Sequence, residues 1–312
     1  MIYNPEKPYK EQILGLIKKT WNTPYVSIHD GAYSVFRRKF DYPEVDHTDG
    51  IGTKGIYHWK KRSFKGAVLD ALAMNLNDLA MARAVPYKLQ CHIIVPEDDQ
   101  RAIMEIIKSL VTECMKLKIA ITGGETSVQN NMDGLDISLT VSGFVRREKR
   151  NKFQAGDILV GFASNGLHSN GFTMVRNAFA NRFRKELIEP TVMYLKSIQD
   201  IQERYDIHGM MHITGGAFTR LKGLLSKTDA VITNDHSLKP QGIFRELYAH
   251  RITDRDMYKT FNCGIGFILA VSKKDALGIV TQIKGADIIG EVTQGSGKVR
   301  IASMFSGKRI KI

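Results

Sequence analysis

The sequence lacks the features that mark membrane and secreted proteins. Its longest uninterrupted apolar run, CGIGFILAV, is about half of the roughly 18 residues that a helix needs to cross a bilayer. The first residues, MIYNPEKPYKEQ, contain no apolar core of the kind that a secretory signal requires. Only three cysteines are present, and none lies in a C-x-x-C pair, which argues against a disulfide framework and a structural zinc site. These absences favour a reduced, cytoplasmic protein without a membrane partner.

Several catalytic and nucleotide-binding motifs are also missing. No G-x-x-x-x-G-K-[ST] phosphate loop, G-x-S-x-G nucleophile elbow or H-E-x-x-H zinc motif occurs. Gly50, Gly52 and Gly55 do spell the dinucleotide-binding pattern G-x-G-x-x-G. However, the preceding FDYPEVDHT is a poor strand weakened by Pro43, and the following IYHWKKRSFKG lacks the apolar pattern of a dinucleotide-binding helix. Asp70 has about the right offset for the ribose-binding acid but falls inside a helical pattern, so we set the dinucleotide interpretation aside.

The charge balance is one-sided, since 45 Lys and Arg residues face 32 Asp and Glu residues for a net charge of +13. Such a charge invites a nucleic-acid hypothesis. The basic residues, however, are scattered in short runs such as KKR and RFRK, and no nucleic-acid-binding motif or basic tail accompanies them. We therefore predict no dedicated nucleic-acid partner, and a basic surface that attracts anionic metabolites instead.

The residues that are present alternate between helix-like and strand-like segments. Helical patterns cover 64–84 and 98–118, and strand-like runs cover 88–95, 119–125, 135–145 and 158–164. A length of 312 residues favours two domains, and the charged break REKRNKFQAGD places a boundary between 1–148 and 149–312. The sequence predicts an α+β fold with α/β-like alternation in both domains.

Small polar clusters recur where strands end or helices begin, and several carry carboxylates. Asp49, Asp78 and Glu125 are suited to Mg²⁺, which binds a few carboxylates together with substrate phosphates. Lys54 can supply a point charge to a phosphate. The alternatives remain open at this stage, because Asp49 can be a turn former and Asp78 a local cap or ion-pair partner.

Two histidines and a cysteine also admit structural interpretations. His168 can be a structural residue at a helix start, and His212 can be a buried, hydrogen-bonded histidine. Cys263 is best interpreted as a packed thiol.

Taken in order, the clusters carry a resemblance. The motifs TDGIGTK, NLNDLA, GGET, SNGLHSNG, EPTVMYLKS, HITGG and FNCGIG, spread over about residues 45–293, resemble those of the aminoimidazole ribonucleotide synthetase (phosphoribosylformylglycinamidine cyclo-ligase) family. Single motifs also suit the wider superfamily, which includes selenophosphate synthetase and thiamine monophosphate kinase. TDGIGTK together with HITGG and NCGIG favours the cyclo-ligase.

The resemblance implies a fold and a reaction. An N-terminal domain, 1–148, binds ATP and Mg²⁺ and pairs into a homodimer around a β-barrel with flanking helices. A C-terminal domain, 149–312, contains a mixed sheet with helices and completes the substrate site. The implied reaction converts formylglycinamidine ribonucleotide and ATP into aminoimidazole ribonucleotide, ADP and phosphate in de novo purine biosynthesis.

The resemblance also implies roles for individual residues. Asp49 and Asp78 would hold Mg²⁺ with Glu125 close by, and His168 would serve the substrate as proton donor or oxyanion partner. The residues implied to bind the nucleotide are Gly50, Gly52, Thr53, Lys54, Asp70 and Asn75. The residues implied to bind the ribonucleotide substrate are Ser169, Asn170, Thr214 and Gly215.

The sequence departs from the family in several places, and the acidic lead with which family members usually begin is missing. Leu14 stands where the family carries a lysine, the glycine-dense loop is reduced to HDGAYS at 29–34, and Val128 lies near the place of a second glutamate. These departures concern the nucleotide site and keep two other hypotheses open. One is a superfamily kinase acting on another small molecule, and the other is a non-catalytic or nucleic-acid-binding relative.

Overall fold

The computed structural model describes residues 9–31, 34–180 and 182–312. The opening segment MIYNPEKP and two residues of HDGAYS therefore lie outside the described residues. The chain divides into two compact units, Met1–Arg147 and Glu148–Ile312, called here the N-terminal and C-terminal units. Each unit is built around its own sheet.

The described residues of the N-terminal unit form four α-helices and six strands. The helices are α1 (Lys10–Ile17), α2 (Gly55–Lys61), α3 (Phe64–Met81) and α4 (Gln100–Leu117). The strands are β1 (Val26–His29), β2 (Val35–Arg38), β3 (Glu44–Gly50), β4 (Ala84–Val95), β5 (Ala120–Val128) and β6 (Asp136–Val145). Short 3₁₀ helices cover Lys18–Trp21 and Gly52–Lys54.

The main sheet of this unit has the strand order β3-β6-β4-β5, and β1 and β2 form a separate antiparallel pair. Strands β3, β6 and β4 pair antiparallel, whereas β4 and β5 are parallel and are joined through α4. The register places Asp49 opposite Leu139, and Leu139 opposite Cys91. Since directly opposed residues share a face of a sheet, this row lies on one face from β3 to β4.

The face that carries this row is the helix-covered face. Its side chains on β4 and β6, such as Leu89, Ile93 and Val141, are fully buried. Helix α3 contacts β3, β6 and β4, and α4 packs against α3 and β5. Helix α3 is buried almost all round, between the sheet and α4, and it carries polar residues among its buried positions. Helix α4 begins at an Asp99 cap that accepts from the Ala102 N–H.

The opposite face is polar across its middle, and we call Asp46, Thr48, Thr140, Gln90 and His92 the polar face. The Thr48 and Thr140 hydroxyls are hydrogen-bonded at 2.9 Å, and Asp46, Thr48, Gln90 and His92 are exposed. Near Phe144, aromatic residues beside the β1–β2 pair cover the sheet, with Phe40 packed on that ring.

Two expectations need correction here. The segment before the glycines is not a poor strand, because β3 begins directly after Pro43 and pairs with β6 along its whole length. Proline is tolerated there because β3 is an edge strand. The four-stranded sheet is also open, with β3 and β5 as its edges, so a β-barrel is not formed by the described residues of one chain.

In the C-terminal unit, the described residues form a seven-stranded mixed sheet with helices. Its strands are β7 (Ile158–Ala163), β8 (Ile207–His212), β9 (Thr228–Ile232), β10 (Ile265–Val271), β11 (Ala286–Gln294), β12 (Val299–Ala302) and β13 (Arg309–Lys311). Its helices are α5 (Phe172–Phe179), α6 (Leu195–Gln202), α7 (Gly242–Ala249), α8 (Asp254–Thr260) and α9 (Lys273–Gln282), with 3₁₀ helices at Lys185–Ile188 and Ala217–Leu224.

The strand order of this sheet is β13-β12-β9-β11-β7-β10-β8, and only β12 and β9 are parallel among the described pairs. Every residue of β10 is buried, as expected of a strand covered on both faces. The mixed α/β character of both units confirms the predicted fold class. Among the helices of the described residues, none is long and apolar enough to cross a membrane.

Candidate functional site

Asp49 lies near the end of β3, at the edge of the N-terminal sheet. The Asp49 carboxylate accepts a hydrogen bond from the Gly50 N–H at 2.7 Å, which fixes its orientation against its own backbone. A Cβ atom on Gly50 would lie 2.7 Å from Ser138 Oγ, so glycine there allows β6 to approach. Gly52 has a positive φ of 52°, and a Cβ atom there would meet no atom within 4 Å. Glycine is therefore favoured at this position by the backbone conformation and not by a lack of space.

Helix α3 brings Asn75 and Asp78 beside this part of β3. Asn75 is fully buried, and its Nδ2 donates to the Asp49 carbonyl at 3.0 Å and to the Ala71 carbonyl at 2.9 Å. Asp78 is nearly buried, and its Oδ2 lies 3.3 Å from His47 Nε2. Asn75 and Asp78 are three residues apart and share one helix face, so one helix holds both beside β3.

His47 links these groups. Its Nδ1 lies 3.0 Å from Asn75 Oδ1, while its Nε2 faces Asp78. The hydrogen bond to Asp78 raises the pKa of His47 above its usual value, against the opposing effect of partial burial, and the charge of Asp49 adds to the increase. This environment favours the imidazolium, in which both ring nitrogens donate.

A second polar cluster joins Asp70 of α3 to Lys54 and His58. Asp70 accepts from Lys54 Nζ at 2.8 Å and is 2.8 Å from His58 Nε2, and all three side chains are fully buried. Burial alone raises the pKa of the Asp70 carboxyl, but the Lys54 ammonium and the His58 hydrogen bond outweigh burial and hold it well below its usual range. We call Lys54, His58 and Asp70 the buried triad.

The buried triad changes the interpretation of two predicted nucleotide-binding residues. The Lys54 ammonium is buried against Asp70 inside the N-terminal unit. In this structure it is therefore not accessible to a phosphate, contrary to the expected role. Asp70 likewise faces Lys54 and His58 rather than a solvent-accessible cavity. Thr53, which precedes Lys54 in the 3₁₀ turn, is half-buried.

Glu125 is separated from Asp49 within the chain. It lies on β5 opposite the exposed His92, hence on the side of the polar face, whereas the Asp49 row belongs to the helix-covered face. Three strand spacings separate β3 from β5, which is roughly 14 Å. Among the described residues, no group of three or more His, Cys, Asp or Glu side chains is arranged to hold a metal ion.

The chemistry of Asp49 and Asp78 nevertheless fits Mg²⁺ bound together with a nucleotide. Mg²⁺ is usually held in such sites by one or two carboxylates, and the phosphates and water complete its coordination. Asp49 and Asp78 supply two carboxylates, both close enough to His47 to act on its charge. Within one chain, Glu125 lies apart from this pair.

In the C-terminal unit, His168 lies between β7 and α5 and is buried. It has a positive φ of 58°, unusual for a residue other than glycine. Its ring centroid is 6.3 Å from that of Tyr194, whose hydroxyl donates to the Ala163 carbonyl at 2.7 Å. A Cβ atom on Gly266 would lie 2.0 Å from Tyr194 Oη and 2.7 Å from His168 Cε1, so glycine there lets both rings pack against β10.

Hydroxyl and amide groups surround the start of α5. Ser169 Oγ is 3.1 Å from Thr191 Oγ1, and the Thr214 hydroxyl donates to Asn170 Oδ1 at 3.0 Å. Asn170 is buried, and its Nδ2 makes no hydrogen bond within the described residues. Gly215 is exposed, and a Cβ atom there would meet only Asn170 Oδ1, at 4.0 Å. The predicted substrate-binding residues are therefore together beside an open space.

His212 and Cys263 have structural surroundings. The His212 ring is fully buried near Tyr194 and Phe267, with centroid distances of 6.4 and 6.1 Å. Cys263 is buried, and burial raises the pKa of its thiol well above the usual value. The packed-thiol interpretation is confirmed.

Four residues of these clusters were not singled out from the sequence. His47 and His58 flank the glycine turn, and Thr191 and Tyr194 belong to the motif EPTVMYLKS. The motifs identify the two segments but not these individual residues. Histidine and tyrosine are often packing residues, so their presence in a motif does not by itself predict a role in a site.

Comparison with known proteins covers both units. The family model described as AIR synthase related protein, N-terminal domain, matches residues 33–145, and the model for the C-terminal domain of the same family matches residues 154–302. Both sets of clustered residues fall within these matches.

Individual relatives and solved structures agree with this result. Phosphoribosylformylglycinamidine cyclo-ligase from Methanobrevibacter smithii is 33% identical over 94% of this chain and 92% of its own length, and that from Saccharolobus solfataricus is 31% identical over 93% and 90%. The fold is similar to hydrogenase maturation protein HypE in complex with ATP (TM-score 0.73, 16% identity, 99% and 95% covered). It is also similar to thiamine-monophosphate kinase from Stenotrophomonas maltophilia (TM-score 0.69, 18% identity, 97% and 98% covered).

Proposed function

The chain belongs to the AIR synthase related protein family, and we propose from this premise that it is an ATP-dependent phosphoribosylformylglycinamidine cyclo-ligase of de novo purine biosynthesis. The observation that carries the proposal is the likeness to cyclo-ligases over nearly the full length of this chain and of those relatives. The reaction consumes formylglycinamidine ribonucleotide and ATP and yields aminoimidazole ribonucleotide, ADP and phosphate. The enzyme acts in the cytoplasm.

The chemistry divides into two steps. The formamide oxygen of the substrate attacks the γ-phosphorus of ATP, and ADP leaves. The amidine nitrogen then attacks the activated carbon, phosphate leaves, and the imidazole ring is closed. Phosphoryl transfer of this kind depends on charge neutralisation and alignment more than on covalent participation of the protein.

The N-terminal cluster suits the first step. Asp49 and Asp78 are the residues that would hold Mg²⁺, and a bound Mg²⁺ would neutralise charge on the nucleotide phosphates. Asn75 fixes the backbone of Asp49 from α3. The buried triad fastens the turn that follows Asp49 onto the same helix through the Lys54–Asp70 ion pair.

The C-terminal cluster suits the ring-closing step. We assign His168 to the substrate, as proton donor or as partner of a developing oxyanion. Asn170 offers a buried amide donor, and Ser169, Thr214 and the exposed backbone of Gly215 provide further hydrogen-bonding groups. Such neutral donors suit the polar atoms of a ribonucleotide.

The direct test supplies formylglycinamidine ribonucleotide and Mg-ATP and measures aminoimidazole ribonucleotide, with ADP release as a second readout. We expect stoichiometric formation of both products. Folded protein that forms no aminoimidazole product at any enzyme concentration would overturn the assignment.

The second candidate is a superfamily kinase for another small molecule, which is motivated by Leu14 and Val128 at positions where the family carries a lysine and a glutamate. The same ADP assay, run with thiamine monophosphate or selenide in place of the ribonucleotide, separates the two. Stimulation of ADP release by either compound, without cyclisation of the ribonucleotide, would favour the kinase.

We also propose that two copies of the chain associate through their N-terminal sheets and close a barrel. The open edges β3 and β5 and the exposed side chains of the polar face support this association. A closed barrel removes sheet edges, which are otherwise unpaired. Thr140→Arg should shift sedimentation toward the monomer, whereas Thr112→Arg, on the exposed side of α4, should not; equal behaviour would contradict this interface.

A further inference from the structure

His47 contacts one of the two carboxylates proposed for the metal, that of Asp78, and is a close neighbour of the other along β3. It lies on β3, two residues before Asp49 and on the same face of the strand. Its two ring nitrogens face different residues of α3, because Nδ1 is 3.0 Å from Asn75 Oδ1 and Nε2 is 3.3 Å from Asp78 Oδ2. Asn75 in turn donates to the Asp49 carbonyl.

We propose that His47 is a positioning residue for nucleotide-bound Mg²⁺: its Nε2 orients the Asp78 carboxylate, and its Nδ1, through Asn75, steadies the backbone that carries Asp49. This inference rests on the proposed function, since it names the device that sets the geometry of that metal site. His47 itself stays outside the coordination of the metal.

The arrangement of the ring distinguishes positioning from ligation. Both nitrogens of His47 are occupied by α3, so neither presents a lone pair to an ion, and the described residues contain no three-ligand cluster. Partners that hydrogen-bond to metal-binding side chains commonly set their orientation, and their loss weakens metal affinity about 10- to 100-fold. The Asp78 side chain is only 9% exposed, which leaves solvent little access to replace His47.

Substitution of His47 should leave the fold intact. Its side chain is 28% exposed, so truncation opens no closed cavity in the core. The C-terminal unit contains a matched pair, in which His208 Nδ1 lies 2.6 Å from Asp157 and the His208 side chain is 19% exposed. His208→Ala therefore removes a histidine–aspartate contact of similar exposure far along the chain from Asp49.

The experiment measures ADP binding by calorimetry across a series of Mg²⁺ concentrations, together with the melting temperature of each protein without ligand. His47→Ala should raise the Mg²⁺ concentration needed for half-maximal ADP binding by roughly 10-fold or more. His47→Gln places its amide where Nε2 stood and should restore most of the affinity. His47→Asn reaches only the Nδ1 position, toward Asn75, and should behave like His47→Ala.

The outcomes are separable. Wild-type protein that binds no Mg-ADP would overturn the proposed function together with this inference. Wild-type binding with unchanged Mg²⁺ dependence in His47→Ala would overturn the inference alone, as would equal weakening by His208→Ala. Weakened binding in His47→Ala and His47→Asn with recovery in His47→Gln, at melting temperatures equal to that of His208→Ala, would establish the positioning role.

Discussion

The two polar clusters of this protein are built from different chemistry. In the N-terminal unit, the residues around Asp49 are ionic: His47 faces Asp78, and Lys54 and His58 face Asp70. In the C-terminal unit, the residues around His168 are joined by hydroxyl and amide hydrogen bonds, as in the contact of Thr214 with Asn170.

This difference matches the two steps of the proposed reaction. Buried charges are costly unless they are paired, so the ionic partners in the N-terminal cluster offset the cost of burying its charges. Neutral hydrogen-bonding groups cost less free energy to bury than charged groups do, and they distinguish ligands by shape and polarity. Substitutions in the first cluster should therefore act on phosphoryl transfer and stability, and substitutions in the second on the ribonucleotide.

The largest effect is expected at Asp49. Asp49→Asn removes one charge from the proposed metal pair while keeping the size of the side chain, and turnover should fall roughly 10²- to 10⁴-fold, because metal stabilisation of the transition state is worth several kcal/mol. Steady-state ADP release measures this. Asp133→Asn, in an exposed segment of the same unit, is the control, and wild-type turnover in Asp49→Asn would show that the metal assignment is wrong.

The next effect is on stability. Asp70→Asn leaves Lys54 buried without its counter-ion, and the free energy of unfolding at neutral pH should fall by about 3–5 kcal/mol. Asp200→Asn, which breaks the exposed Lys196–Asp200 pair, should cost no more than about 0.5 kcal/mol. Denaturant titrations measure both values, and equal losses would contradict a special role for the buried triad.

The same variant has a defined pH dependence. Because the folded pKa of Asp70 is lowered, its contribution to stability is fully present above its unfolded pKa of about 4 and is lost as the pH falls further. The difference in unfolding free energy between wild type and Asp70→Asn should therefore shrink below about pH 4. A difference that stayed constant would contradict the lowered pKa.

A smaller effect, confined to the substrate, is expected at His168. His168→Asn keeps a side chain that tolerates positive φ, so the backbone should be preserved. The kcat/KM for the ribonucleotide should fall about 100-fold, the lower end of acid–base contributions, while the KM for ATP should stay within about twofold. A loss limited to ATP affinity would contradict the assignment of His168 to the ribonucleotide substrate.

The smallest effect is expected at Thr214. Thr214→Val removes the hydroxyl that donates to Asn170, a loss of about 1 kcal/mol, so the KM for the ribonucleotide should rise roughly fivefold. Thr228→Val is the control, since Thr228 is buried in the same unit and its hydroxyl has no partner among the described residues. A KM that does not change in Thr214→Val would remove Thr214 from the substrate site.

Much of the fold could be predicted because its patterns are local. The helix expected at 98–118 is α4, and its apolar positions recur at helical spacing against the sheet. The strand β3 could not be predicted because two of its three helix-covered positions carry His47 and Asp49, and only Val45 is apolar. A polar edge strand has no alternating apolar pattern to detect.

The sequence predicts which segments form the site, but not which side chains contact one another. The motifs located Asp49, Asp78 and the residues near His168, but the partner of each side chain depends on how α3 lies on β3. Local sequence does not indicate that Lys54 contacts Asp70. The side of the sheet on which Glu125 lies depends on a register shift between β4 and β5 at Leu89 and Gln90, which is set by strand pairing and not by spacing.

The burial of Lys54 also gives the protein a built-in reporter of local opening. An amine that is sealed against Asp70 cannot react with an acylating reagent until the turn after β3 separates from α3. The rate at which the Lys54 amine is modified in the native protein therefore reports how readily the turn after β3 separates from α3. Peptide mapping can measure this rate without a substrate, a nucleotide or a mutation.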